Sequence, residues 1–259
     1  MSTNVILAEQ PLIDQIERGA STAMPKNLTH RLGKLEDRCL IHGRWLDCGC
    51  ADGGYTIAML ERGARQVIGI DIEADRLAQA QRRPARGSAG YAGAVAEALP
   101  FPDQSFDGVL LNEVLEHVAS EAQALREVFR VLRPGGHLVL MSPNRWFPFE
   151  QHGLLLDETK IDIPIPLLPW LPARIASPFM RARNYWPWQL RELVACAGFE
   201  LWECAWVFPV FEKYRWLPDG AIRRYQDALP ILERLPLLRR FGVSTFILAR
   251  RPHDDKVSG

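Results

Sequence analysis

The sequence predicts an α/β fold built on a doubly wound, mostly parallel sheet. Three observations carry this expectation. From Arg44 onward, short apolar runs alternate with helical stretches, the pattern of βαβ units. The first two runs each close on an acidic residue, Asp47 and Asp71, and a glycine-rich turn follows the first. The 259 residues are 47% hydrophobic and 24% charged, which places the chain among globular proteins with one large core rather than among disordered, collagen-like or membrane-spanning chains. Lys plus Arg and Asp plus Glu are 31 each, so no overall electrostatic footprint for long nucleic acid is present, although local sites for small polyanions are allowed.

Residues 1–43 mix amphipathic stretches with the breakers Gly19, Pro25 and Gly33, and are expected to form a helical cap beside the core rather than a catalytic unit. Glu9 and Asp14 stand where a signal peptide would be basic and then apolar. Five cysteines (Cys39, Cys48, Cys50, Cys196, Cys204) without a C-x-x-C pattern fit reduced thiols, so a cytoplasmic location is expected.

The core, 44–142, reads as a strand at 45–47, helix 56–62, strand 67–71 and helix 73–81, then strands at 90–95, 106–112 and 137–142, with a helix over 120–132. Arg133-Pro134-Gly135-Gly136 is expected to be a turn, because proline presets its first corner and glycine permits positive φ at the next. Between Pro143 and Pro187 the composition shifts: eight of the 19 prolines fall there, with Trp146, Trp170 and Trp186. The apolar run 163–179 is interrupted by Pro164, Pro166, Pro169, Pro172 and Pro178, so no spanning helix can form, and an apolar lid or a membrane-surface patch is expected instead. The aromatics of this segment, Trp146, Phe147, Phe149, Trp170, Phe179, Tyr185, Trp186 and Trp188, either wall an apolar acceptor pocket or form a satellite core, the pocket being the favoured reading. Regular structure resumes over 188–259 with a helix at 188–197, a strand at 199–208, an amphipathic helical stretch around 221–240 that should pack on the sheet, and a strand at 243–250.

Chemistry concentrates in the first βα turn, Asp47-Cys48-Gly49-Cys50-Ala51-Asp52-Gly53-Gly54. A glycine-rich turn entering a helix lets backbone N–H groups approach a carboxylate or phosphate closely. Asp71 lies 24 residues after Asp47, near the offset of about 20 at which a strand-end acid meets ribose hydroxyls. A nicotinamide dinucleotide is the weaker ligand, since its G-x-G-x-x-G fingerprint is not met by glycines at 49, 53 and 54.

These residues resemble the class I S-adenosylmethionine-dependent methyltransferases, of methyltransferase type 11. The match runs through Asp47, Gly49, Ala51 and Gly53, then Asp71, the string 96–101, Ser105-Phe106-Asp107, Asn112-Glu113-Val114-Leu115-Glu116-His117 and Leu132-Arg133-Pro134-Gly135-Gly136. The resemblance implies a Rossmann-like, seven-stranded sheet with an antiparallel last strand, and a lid inserted after strand 5. It implies S-adenosylmethionine as cofactor: Asp47 and the Gly49, Ala51 and Gly53 loop for the methionine moiety, Asp71 for the ribose, and the backbone at Asn112 beside the amino group. Val95 stands where many members carry an adenine-binding Asp, so adenine recognition falls to backbone and apolar contacts near Ile72, Ala96 and Glu97.

Glu113, Glu116 and His117, at i, i+3 and i+4 of an expected helix, would share one face. Some O-methyltransferases similar to this chain hold a divalent metal such as Mg with a Glu-x-x-Glu-His string, which makes Glu113, Glu116, His117 and His152 the candidate metal ligands; the alternative is that the carboxylates only favour a helix dipole. His117 and His152 are also the candidate catalytic bases, being the histidines nearest the cofactor end of the sheet. The expected function is O-methylation of a small, partly hydrophobic acceptor such as a lipid precursor or secondary metabolite. N- or C-methylation, and a non-catalytic binding module on the same fold, are the alternatives. Peripheral membrane contact is compatible with the sequence; a transmembrane segment is not.

Overall fold

The computed structural model describes residues 26–253 except 37, 39, 86, 151–153, 157, 158, 162–164, 177 and 211–217. Residues 1–25 of the expected cap, and His152, therefore lie outside the described residues.

Seven strands form one sheet: β1 (Arg44–Cys48), β2 (Gln66–Asp71), β3 (Ser88–Gly93), β4 (Phe106–Asn112), β5 (Leu132–Pro143), β6 (Glu200–Val207) and β7 (Ser244–Arg250), in the order β6-β7-β5-β4-β1-β2-β3. β1 through β5 pair in parallel, and β7 runs antiparallel to both β5 and β6. The α-helices of two turns or more among the described residues are α1 (Lys26–Glu36), α2 (Gly54–Glu61), α3 (Ala74–Arg82), α4 (Glu121–Val131), α5 (Pro187–Cys196) and α6 (Asp219–Leu232), and a single turn spans Ala173–Ala176. Parallel neighbours require crossovers, and α2, α3 and α4 supply them, so every βα turn opens at the same carboxyl edge.

Alternation along each strand divides the core into two layers. On one face Leu46, Val109, Leu111 and Leu140 pack against Leu125 and Val128 of α4 and Leu190 and Val194 of α5. On the other, Trp45, Leu110, Val139 and Phe246 meet Leu28, Leu32 and Leu35 of α1 and Met59 of α2. The i, i+4, i+7 spacing of the α1 leucines makes the stripe that buries this helix. Its outer side is tied to the C-terminal half by Lys34–Glu233 at 2.7 Å, His30–Glu233 at 2.9 Å and Arg38–Glu203.

The expected elements are found within a few residues of their expected ends, with two corrections. The 133–136 turn is not a separate element: it lies inside β5, where the register jumps from Phe106↔Leu132 to Gly108↔His137 and Gly135 takes φ 80. The 221–240 stretch is not one continuous helix. Within it α6 ends at Leu232, and the 3-10 turn Leu238–Phe241 buries none of its side chains, although the Arg239 guanidinium covers the Trp206 ring of β6.

Close packing at the sheet centre yields a test. Gly108 of β4 lies beneath the Trp45 ring, and a Cβ there would meet ring atoms at 2.5 Å. Gly108→Ala should destabilise the fold by roughly 1–3 kcal/mol through overpacking, read as a lower urea midpoint with unchanged slope.

Candidate functional site at the carboxyl edge

Asp47 closes β1, and its side chain is buried beneath the loop that follows. Its Oδ2 accepts from Thr56 Oγ1 of α2 at 2.7 Å. Burial pushes its carboxyl up to about 7; the Thr56 hydrogen bond opposes the shift and the nearby Asp71 charge adds to it. The loop is pinned to the neighbouring strand, because the N–H groups of Gly49 and Cys50 both donate to Ile70 O at 2.8 Å. Gly49, Ala51 and Gly53 take φ of 75, 48 and 80, so left-handed residues alternate through the turn. Ala51 holds this conformation with a Cβ, at a cost of about 1–2 kcal/mol, and Asp71 secures it: Ala51 N–H donates to Asp71 Oδ2 at 2.8 Å. Glu73 N–H donates to Asp71 Oδ1 at 2.9 Å. One carboxylate thus fastens two βα turns, and each oxygen keeps a lone pair for a further donor.

Gly53 caps α2 without a side-chain acceptor, leaving the helix N-terminus facing this edge. Ile72, immediately past β2, is 74% exposed, and Val95, just past β3, is 46% exposed. The two lie past paired strand ends, with Asp71↔Gly93 in register and Ala94 N–H donating to Asp71 O, so they form an apolar shelf beside the Asp71 carboxylate. Ala96 is buried nearby. The Glu97 side chain turns to α4: its Oε1 accepts from Ala119 N at 2.7 Å and Ser120 N at 3.4 Å, so it caps the start of that helix.

Sequence reasoning missed Arg31. This buried residue of α1 donates from Nη1 to Asn112 Oδ1 and to Glu113 Oε1, both at 2.7 Å, and from Nη2 to Ser244 Oγ at 2.9 Å. Burial pulls its pKa down, but the Glu113 carboxylate, helped by Tyr55 and Glu116, outweighs that and raises it, so the guanidinium stays charged. It therefore fixes Asn112 at the end of β4. An arginine on an apolar helix face was the only signal available.

The expected metal ligands do not assemble. Glu113 has φ 55 and residues 115–117 form a turn, so no helix aligns Glu113, Glu116 and His117. Glu113 is committed to Arg31 and accepts from Ser244 Oγ at 2.5 Å. Glu116 is buried, accepts from Ser142 Oγ at 2.7 Å, and is pushed well above the carboxylate range by burial and by the Glu113 charge. A Glu113 carboxylate already paired to arginine is a poor ligand for a divalent ion. Among the described residues no three His, Cys, Asp or Glu side chains converge as ligands. His117 lies 4.0 Å from Glu116 and reaches solvent at the same edge; His152 lies outside the described residues.

A cavity of about 780 Å³ opens beside Glu116, lined among others by Arg145, Met180, Asn184, Tyr185 and Leu193. Of the aromatics expected to wall a pocket, Tyr185 alone does so. Trp186 instead stacks on Trp188 and meets Trp146 edge-on, each with centroids 5.0 Å apart, while Trp170, Phe149 and Phe179 are exposed. Composition signals aromatic density but not its direction.

A methyltransferase-domain family matches residues 46–140. A probable S-adenosylmethionine-dependent methyltransferase of Mycolicibacterium smegmatis is 41% identical over 113 residues, 43% of this chain and 42% of that protein. The demethylmenaquinone methyltransferase of Symbiobacterium thermophilum is 31% identical over 174 residues, 60% of this chain and 67% of the relative. The ubiquinone biosynthesis O-methyltransferase of Pseudomonas fluorescens is 38% identical over 120 residues, 44% and 51% of the two chains. The chain thus spans less than half of the mycobacterial relative and about two thirds of the Symbiobacterium one. In fold, a methyltransferase structure from Mesorhizobium loti superposes with a TM-score of 0.59 at 19% identity, covering 85% of this chain and 98% of that one.

Asp47 supplies a pH test. Its folded value near 7 lies above the unfolded value of about 3.9, so the native state binds the extra proton between them. The contribution is fully present below about pH 4 and is lost as pH rises through about 7, on the order of 3–4 kcal/mol. Asp47→Asn, which keeps an acceptor for Thr56, should flatten stability against pH over this window in urea titrations.

Proposed function

The chain belongs to the class I S-adenosylmethionine-dependent methyltransferases, and on that premise we propose that it transfers a methyl group to an oxygen of a small, partly hydrophobic acceptor. The observation that carries this reading is the carboxyl-edge cluster itself: a left-handed loop over a buried acid, a second acid with lone pairs to spare, and an exposed Ile72–Val95 shelf. These residues fit the cofactor. Asp71 would hold the ribose hydroxyls, Ile72 and Val95 would sandwich the adenine with backbone contacts near Ala96 and Glu97, and Asp47, Gly49, Ala51, Gly53 and Asn112 would surround the methionine end. When bound, the cofactor supplies an activated methyl on a sulfonium, open to in-line attack. The protein's share is to align the acceptor and exclude water. Arg31 holds Asn112 in place, and a cationic ammonium near Asp47 would favour its ionised form.

The cavity beside Glu116 supports the acceptor assignment. It adjoins the turn after β4, it mixes Met180 and Leu193 with polar groups, and its size suits a small molecule. His117 is the base we assign for an acceptor hydroxyl, with His152 as the second candidate from outside the described residues. A carbon acceptor is the second reading, favoured by the similarity to the demethylmenaquinone enzyme.

Two measurements test this. Asp71→Ala should weaken S-adenosylmethionine binding by roughly 1.5–3 kcal/mol in calorimetry, through loss of charge-assisted hydrogen bonds; unchanged affinity removes Asp71 from the site. Incubation with isotopically labelled cofactor and a panel of phenols and quinols should release S-adenosylhomocysteine and place the label on oxygen. Label on ring carbon selects the second reading.

A further inference from the structure

The lid aromatics that do not wall the cavity need another account. Leu237 is 74% exposed, Ile175 and Trp188 53%, Leu238 46% and Trp170 43%. Trp188 belongs to one row with Trp186, Trp146 and Phe241, and Leu237 and Leu238 open the 3-10 turn that carries Phe241. Phe241 lies 6.3 Å from Trp146, Trp146 5.0 Å from Trp186, and Trp186 stacks on Trp188. Arg145 clamps the 169–171 turn to this row, donating to Pro169 O and Leu171 O at 2.7 Å while its guanidinium covers the Trp186 ring. Connected apolar exposure on this scale marks an interaction surface.

Charge indicates what the surface meets. The chain is balanced overall, yet it has no Asp or Glu from 163 to 191 and none from 234 to 253. Arg174, Arg234, Arg239 and Arg240 are exposed within those stretches. Basic side chains around exposed tryptophan and leucine, on short turns rather than on a spanning helix, are the composition of an element that lies in a lipid headgroup layer. No helix among the described residues is long and apolar enough to cross a membrane. Nucleic acid would use the arginines and tryptophans but would gain nothing from exposed Leu237, Leu238 and Ile175.

We infer that the face formed by 167–188 and 235–241 docks on an anionic lipid bilayer. The leucines and tryptophans enter the headgroup boundary and the arginines meet lipid phosphates. Arg145 belongs both to this face and to the cavity wall, so docking brings the cavity mouth close to the bilayer. The inference stands on this face alone and does not depend on the identity of the acceptor.

Co-sedimentation of the full chain with vesicles of phosphatidylcholine containing about one third phosphatidylglycerol tests it, with pure phosphatidylcholine vesicles alongside. Binding is expected on the anionic vesicles and should weaken roughly tenfold or more both on neutral ones and at about 1 M salt. Arg239→Gln with Arg240→Gln, and separately Leu237→Ser with Leu238→Ser, should each weaken it by roughly tenfold or more. All four side chains are exposed, and unchanged melting temperatures will show that the variants fold. Absence of pelleting by the native chain, or pelleting unaffected in both variants, overturns the inference. Sedimentation velocity showing a dimer that the leucine pair dissolves also overturns it, by assigning the face to a second copy of the chain.

Discussion

The site depends on a single carboxylate. Asp71 accepts from Ala51 N–H of one βα turn and Glu73 N–H of the next, which locks the two loops to each other at the carboxyl edge. Parallel pairing makes this possible: β1 and β2 run in register from Arg44↔Gln66 to Cys48↔Ile70, so Asp71 lies one residue past the last pair, level with the start of the loop that follows β1. The loop then needs left-handed residues at 49, 51 and 53, and the Asp71 bond offsets the strain of placing alanine at the middle one. Asp47 pays for the arrangement by being buried close to a second negative group, which is why its proton is held to near neutral pH.

A second constraint comes from Arg31. Its partners Asn112, Glu113 and Ser244 are 81, 82 and 213 residues away, so one side chain ties α1 to the ends of β4 and β7. A buried ion pair of this kind contributes little net stability, but removing one member leaves an uncompensated charge and costs about 3–5 kcal/mol. The N-terminal helix is therefore part of the site's support rather than a passive cover. The amphipathic character of residues 1–43 pointed to helices packed beside the core. Nothing local revealed that Arg31 was buried there.

How much was legible in the sequence follows the range of the interactions. Strand ends, the left-handed loop and the paired acids Asp47 and Asp71 are local features, and the structure brings them to one edge as expected. The helix expected to align Glu113, Glu116 and His117 is not formed: Glu113 takes φ 55, and its carboxylate pairs with Arg31 and Ser244. Glu97 was expected to offer backbone contact near the adenine, and its carboxylate is engaged elsewhere, accepting from Ala119 N–H 22 residues later. In each case a distant partner decided the side chain's role, and a spacing rule does not contain that partner.

The two halves of the site are held by different physics. The cofactor half rests on the parallel ladder, where register is set by buried strands and a slip would turn every core residue to the wrong face. The half that follows β5 is joined to the sheet by single backbone bonds, such as Tyr185 N–H to Pro143 O and Arg183 N–H to Glu116 O, and by side chains reaching carbonyls: Asn144 to Arg240 O and Gly242 O, and Arg183 to Leu115 O. Such contacts fix segments without a repeating ladder, so this half can change length and composition while the ladder stays intact. A net charge of zero conceals the result. Balance over the whole chain is the sum of a mixed-charge body and two stretches free of acids, and those stretches carry exposed Trp170, Trp188, Leu237 and Leu238.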